Sequence, residues 1–175
     1  REDYYSFSEK VGIRPKDNRL KVISGSSDLH TTKNVAHTDK KIGIEGEDSN
    51  GVMSAVEMLR RIGDENMPDF KDKEVVVVGG GNVAIDVART ASRCGAESVS
   101  MFCLEPREKM PASEEEIAEA LEEDVAINCG WGPKEILTEN GKVTGIIFKR
   151  CTSVWDGNGR FAPTYDENDT QTIPC

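Results

Sequence analysis

Long apolar runs are missing from this chain. No stretch of its 175 residues approaches the roughly 18 consecutive apolar positions that a membrane-crossing helix needs. Its opening, REDYYSFSEK, has neither the basic start nor the hydrophobic centre of a secretory signal. A soluble, cytoplasmic protein is therefore expected, with no membrane partner. Basic residues are also in deficit: 22 Lys and Arg stand against 32 Asp and Glu, a net charge of −10 that repels nucleic acid and anionic lipid. There are only two histidines, His30 and His37, both in polar surroundings without companion ligands, and they read as solvated side chains. The five cysteines (Cys94, Cys103, Cys129, Cys151 and Cys175) never form a C-x-x-C pair. That scatter argues against a zinc or iron–sulfur site or a redox disulfide, and the thiols read as reduced and mostly structural. No metal site is expected.

Glycine, by contrast, is concentrated where it carries information. In EVVVVGGGNVAIDVARTA, from Glu74 to Ala91, four valines without polar alternation suit a strand buried on both faces of a parallel sheet. The G-x-G-x-x-A spacing follows at once as Gly79, Gly81 and Ala84. Its first glycine permits the tight turn, its second lets a pyrophosphate approach the backbone, and Ala84 stays small so that helix and strand can pack. A helix opening at Asn82 and Val83 points its free N–H groups and positive dipole end at the phosphates. Val83, Val87, Ala91 and Cys94 form one apolar stripe of that helix, and Gly95 is placed to end it.

The context strengthens a spacing that is weak alone. Val99 to Leu104 is a second strand, which completes a βαβ unit of about 30 residues. Glu105 follows directly, near the separation of about 20 residues expected for an acid that accepts hydrogen bonds from an adenosine ribose.

One domain is expected from the length. Residues 1 to 40 show no sustained period; a short strand near Leu20 to Ile23 is allowed, Gly25-Ser26-Ser27 reads as loop, and Tyr4, Tyr5 and Phe7 either anchor this arm or belong to a poorly ordered end. Ser54-Ala55-Val56-Glu57 reads as a capping box opening a helix to about Ile62, ended by Gly63. The two prolines of PREKMPA predict a loop, not helix or central strand, at the carboxyl edge of the sheet, where open α/β folds bind ligands. Ser113 to Glu116 is a second capping box, opening a helix to about Glu123 with Ile117, Ala120 and Leu121 on its buried side. Its acidic run reads as a solvated face rather than as catalytic carboxylates. Val125 to Asn128 predicts a third parallel strand. Asn140-Gly141 between apolar runs is a strong hairpin signal. Asp156 to Gly159 is a further turn, and Thr170 to Cys175 a strand near the hairpin. The fold class is thus α/β: a Rossmann-like three-layer domain with a central parallel sheet and an antiparallel β-hairpin excursion.

GIEGED (Gly43 to Asp48), SAVEMLR (Ser54 to Arg60), VVVVGGGNVAIDVART (Val75 to Thr90), MPA (Met110 to Ala112), GPKEI and NGKVTGI (within Gly132 to Ile146) together resemble a known family. It is the NAD(P)H-binding domain of FAD-dependent pyridine nucleotide oxidoreductases of the glutamate synthase small (β) subunit type. The resemblance runs from about residue 41 to the end, so residues 41–175 are read as the NAD(P)H-binding domain and 1–40 as an arm that matches nothing.

In such proteins the nucleotide domain is inserted into an FAD-binding domain, and this chain stops where the family turns back into that domain. The resemblance therefore implies an excised domain, inactive alone, whose FAD sits in a missing adjoining domain. It implies hydride transfer from NADH or NADPH to the flavin, with electrons passing on to a glutamate synthase-type or iron–sulfur partner. Cofactors supply that chemistry, so no catalytic side chain is expected here. The expected cofactor-binding residues are Gly79, Gly80, Gly81, Asn82, Val83, Ala84, Glu105 and Arg107. NADPH-using members typically carry two arginines where this chain has Leu104 and Glu105. An acid there accepts the ribose hydroxyl and repels a phosphate, which points to NADH; Arg107 and Lys109 remain nearby as cations able to restore phosphate binding.

Two other functions fit part of the pattern. An S-adenosylmethionine-dependent methyltransferase also has a glycine turn after its first strand and an acid after its second, but lacks reason for Ala84, the proline loop or the hairpin. A non-catalytic dinucleotide sensor needs binding alone.

Overall fold

The computed structural model describes residues 22–24 and 41–175. Tyr4, Tyr5, Phe7, Gly25 to Ser27, His30 and His37 lie outside the described residues. Five strands form an all-parallel sheet in the spatial order β2-β1-β3-β4-β5: β1 Val22–Ser24, β2 Val52–Ser54, β3 Glu74–Val78, β4 Ser98–Cys103 and β5 Val125–Cys129. The short strand expected near Leu20 to Ile23 is β1, and it lies between β2 and β3. Among the described residues three α-helices alternate with these strands, α1 Ala55–Gly63, α2 Asn82–Arg93 and α3 Glu114–Glu122. Three long strands, β6 Trp131–Glu139, β7 Lys142–Trp155 and β8 Phe161–Pro174, make a separate antiparallel sheet.

The valines of β3 explain why the layers stack this way. Val75 and Val77 belong to a core shared with all three helices, including Met58, Ile62, Ile85, Val87 and Ile117. Val76 points the other way, into a second core with Phe102 of β4 and Ile136, Val143, Ile146 and Phe148 of the antiparallel sheet. Phe102 and Phe148 stack with ring centroids 4.0 Å apart and planes 11° from parallel, which fastens one sheet to the other. A strand buried on both faces has no need of polar alternation. The expected Rossmann-like α/β class and central parallel sheet are present, but the layer opposite the described helices is the antiparallel sheet itself, a three-stranded meander rather than a lone hairpin excursion.

Local signals place the element ends. Ser54 Oγ accepts the Glu57 N–H at 3.0 Å, while the Glu57 carboxylate turns to Arg61 at 2.6 Å instead of closing the reciprocal half of the box. Gly63 is the last residue of α1 rather than its stop, and Asp64 makes the cap. The expected stripe of α2 is packed in the helical core, with Val83 and Cys94 at its margin. Past α2, the Gly95 N–H donates to the Ser92 carbonyl and the Ala96 N–H to that of Ala91, a Schellman ending. Asn140 and Gly141 both have positive φ (52° and 75°), as the two-residue turn between β6 and β7 requires. PREKMPA is loop except for one 3₁₀ turn, Arg107–Lys109, which the two prolines flank rather than interrupt.

Two expectations about α3 need correction. Leu121 is not buried; it is 51 % exposed. The acidic run is not simply a solvated face either, because Glu116 is buried and Glu119 and Glu123 ion-pair with Arg89. One cause accounts for both. Arg89 lies on the inner side of α2 with its side chain 8 % exposed, and a buried guanidinium must be paired. Helix α3 turns its Glu116, Ala120 and Glu123 side to meet it, and Leu121 falls beyond the covered stripe.

Candidate dinucleotide site

At the carboxyl edge of the parallel sheet, β3 runs into Gly79, whose φ of 146° lies outside the region that L side chains favour. Its N–H donates to the Phe102 carbonyl at 2.9 Å, tying the turn to β4. Gly80 is glycine for a different reason. A Cβ there would stand 2.8 Å from Cys103 Cβ and 3.1 Å from Glu105 Oε2. The turn thus passes directly under the residues that end β4. Gly81 then serves as the N-cap of α2, with extended backbone (φ −92°, ψ 175°) and no side chain to offer.

That cap distinguishes α2 from its neighbours. Ser54 and Ser113 cap α1 and α3 through their hydroxyls, and both helices carry acids in the first turn. Helix α2 has neither a side-chain cap nor a first-turn acid. Its first amides and its positive dipole end remain available to an anion. This is a physical fit to a pyrophosphate. Asn82 Oδ1 is otherwise engaged, accepting the Ser113 N–H at 3.0 Å, and the Ala112 N–H donates to the Gly80 carbonyl at 3.0 Å. The mouths of α2 and α3 are therefore laced together over the turn. Ala84, 2 % exposed, sits in the helical core as the spacing requires.

Glu105 stands beside this turn, its carboxylate close against Gly80. Arg107, the other expected contact, pairs with Glu114 through two hydrogen bonds of 3.2 and 3.1 Å. That hydrogen bond first, and the Glu114 charge, raise the guanidinium above its ordinary value and hold the Glu114 carboxyl below its own. Both side chains are open to water, so the pair is weak. Lys109 lies 5.3 Å from the centre of the Trp155 ring. Leu104 and Pro106, the chain neighbours of Glu105, line a cavity of about 260 Å³ together with Lys109, Gly130 and the Cys151–Trp155 end of β7.

The structure brings Gly79 to Ala84 and Glu105 together at one edge and leaves Arg107 at its rim. Sequence reasoning did not foresee Cys103 against Gly80, the Asn82–Ser113 bond, or the β7 wall of the cavity. The second of three successive glycines was a visible hint, since the G-x-G-x-x-A spacing accounts for Gly79 and Gly81 but not for Gly80. Asn82 and Ser113 are 31 residues apart, and nothing local joins them.

Among the described residues, no helix is long and apolar enough to cross a membrane. The chain is 35 % identical over 165 residues to the NADPH-Fe(3+) oxidoreductase subunit beta of Geobacter sulfurreducens, covering 91 % of this chain and 24 % of that one. It is 33 % identical over 142 residues to the NADP(+)-dependent formate dehydrogenase subunit beta of Moorella thermoacetica, covering 79 % and 20 %. It is 36 % identical over 119 residues to the glutamate synthase [NADPH] small chain of Escherichia coli, covering 62 % and 25 %. This chain thus spans about a quarter or less of the length of these relatives. Among solved structures, FprA from Mycobacterium tuberculosis in complex with NADPH superposes with a TM-score of 0.67 over 79 % of this chain and 46 % of that one; at 19 % identity this is a likeness of fold. The profile of the pyridine nucleotide-disulphide oxidoreductases matches residues 35–155, more than half of the chain. With the uncapped helix mouth already built into its glycine turn, the chain belongs to the pyridine nucleotide-disulphide oxidoreductase family.

Proposed function

We propose that residues 41–175 form the NAD(P)H-binding domain of a flavin-dependent oxidoreductase, and that an adjoining domain outside this chain holds FAD. The observation that carries the reading is the mouth of α2, whose first amides have no side-chain cap in a chain that caps its other two described α-helices with serine. The backbone at Gly80, Gly81, Asn82 and Val83 holds the pyrophosphate, with Gly79 shaping the turn and Ala84 keeping α2 close to β3. Glu105 accepts the adenosine ribose hydroxyls, and the cavity lined by Leu104 and Pro106 has room for the adenine. When bound, the reduced nicotinamide supplies hydride from its C4 to N5 of the flavin. This chain orients the dinucleotide and contributes no acid, base or nucleophile. Electrons leave through a glutamate synthase-type or iron–sulfur partner; the relatives are named as subunits of a glutamate synthase, a formate dehydrogenase and an Fe(3+) oxidoreductase.

Between the two nicotinamide cofactors, Glu105 favours NADH although the relatives' names specify NADP. A carboxylate facing the 2′ position repels a phosphate dianion. The two nearby cations are already engaged, Arg107 with Glu114 and Lys109 over Trp155. Calorimetric titration of the chain with each reduced cofactor tests the proposal. NADH is expected to bind the more tightly. NADPH binding tighter by about tenfold overturns the role of Glu105, and failure of both to bind overturns the dinucleotide site.

A further inference from the structure

We propose that Cys103, Cys129 and Met110 form a three-sulfur binding site for monovalent copper at the carboxyl edge of the parallel sheet. Cys103 and Cys129 are the last residues of β4 and β5 and are register partners across the two strands. Neighbouring strands run about 4.8 Å apart, so the two side chains rise side by side, with the Cys103 thiol donating to the Glu105 carbonyl at 3.6 Å. On the other side, the Cys129 thiol donates to Met110 Sδ at 3.7 Å. Sulfurs that share one metal at about 2.3 Å stand roughly 3.8 to 4.0 Å from each other. The observed separation already matches that spacing, so a metal enters with little rearrangement of Cys129 and Met110.

The donor set selects the ion. Structural zinc takes four ligands, with thiolate, imidazole or carboxylate donors. Among the described residues no group of three or more His, Cys, Asp or Glu is placed to hold a metal. Two thiols and a thioether are few and soft, the combination that suits Cu(I). Cys103 is 4 % exposed, and Cys129 and Met110 are partly buried. Arg107 lies within electrostatic reach of both thiols. A Cu(I) ion with two thiolates carries one net negative charge, which that guanidinium, already shared with Glu114, offsets only in part.

Oxidation to a disulfide is the less favourable use of the same pair. Copper binding needs no oxidant. Two Cu–S bonds form as the two S–H bonds are lost, both protons pass to solvent, Met110 donates a lone pair, and no electron changes hands. The site is independent of the nucleotide reading, because its test uses no nucleotide.

The test is an anaerobic titration of the reduced 175-residue chain with Cu(I) in competition with bathocuproine disulfonate, followed by X-ray absorption at the copper edge. One copper per chain with sulfur-only ligation is expected. Cys129→Ser should weaken binding by about 100-fold and Met110→Leu by about tenfold, while Cys94→Ser and Cys151→Ser leave it unchanged. Met110→Leu is a volume-conserving exchange that preserves the fold, so the result stands even if Cys129→Ser fails to fold. Nitrogen or oxygen ligation, binding insensitive to Met110→Leu, or loss of the copper with Cys94→Ser or Cys151→Ser overturns the site.

Discussion

The Glu105 carboxylate approaches Gly80 so closely that a methyl group on Gly80 would meet Oε2 at 3.1 Å and Cys103 Cβ at 2.8 Å. Gly80 is thus held as glycine by the end of the neighbouring strand rather than by its own backbone torsions. Gly80→Ala should push β4 and Glu105 away from the turn. We expect a loss of about 1 to 3 kcal/mol of stability, read by chemical denaturation. Dinucleotide affinity should fall by at least about tenfold, read by calorimetry. An unchanged dissociation constant would show that the spacing between Gly80 and Glu105 does not matter to the ligand.

Glu105→Gln keeps the size of the side chain and removes its charge. On the proposed role, NADH loses a charge-assisted hydrogen bond worth about 1.5 to 3 kcal/mol, and NADPH loses a repulsion. The ratio of the two dissociation constants should move toward NADPH by about tenfold or more. A ratio that stays put removes Glu105 from specificity.

Phe148 is fully buried against Phe102 and is the main aromatic link between the two sheets. Phe148→Ala should cost about 3 to 5 kcal/mol, measured as a shift in the urea midpoint. Phe148→Leu should cost clearly less, because it retains most of the buried volume. Equal losses would mean that buried volume is not what couples the layers and that the stacked ring itself is required.

Burial alone would raise the Glu123 carboxyl, but hydrogen bonds from Arg93 and Arg89, with their charges, outweigh it and hold the group below its ordinary value of 4.5. A carboxyl depressed by folding contributes stability that is present above 4.5 and is lost as pH falls through the lower folded value. Glu123→Gln should therefore cost about 1 to 2 kcal/mol at neutral pH. The gap between the two proteins should narrow steadily in melts taken below pH 4.5. A gap that persists at pH 3 or so would assign the loss to packing rather than charge.

Much of the site was legible in the chain because each signal acts over a few residues. Four valines, a glycine at positive φ and a small residue at Ala84 specify a strand, a turn and a close-packed helix through steric limits on neighbouring dihedrals. The serines before α1 and α3 show themselves by their hydroxyls, and Asn140-Gly141 by its left-handed torsions. Leu121 was misplaced for a reason of the same kind. Helical spacing shows which residues share a stripe, but not how far the helix turns about its axis once a buried arginine on another helix asks for partners.

The residues by themselves determined the glycine cradle, the layered α/β class and the acid that follows the second strand, since these rest on short-range sterics and on periodic burial. Tertiary structure alone decided that Cys103 and Glu105 crowd Gly80, that Arg89 is neutralised by the distant carboxylates Glu116, Glu119 and Glu123, and that β1 is seated between β2 and β3. Those contacts join segments that share no local geometry. They come into being only when apolar faces close over both sides of β3 and carry their polar neighbours with them.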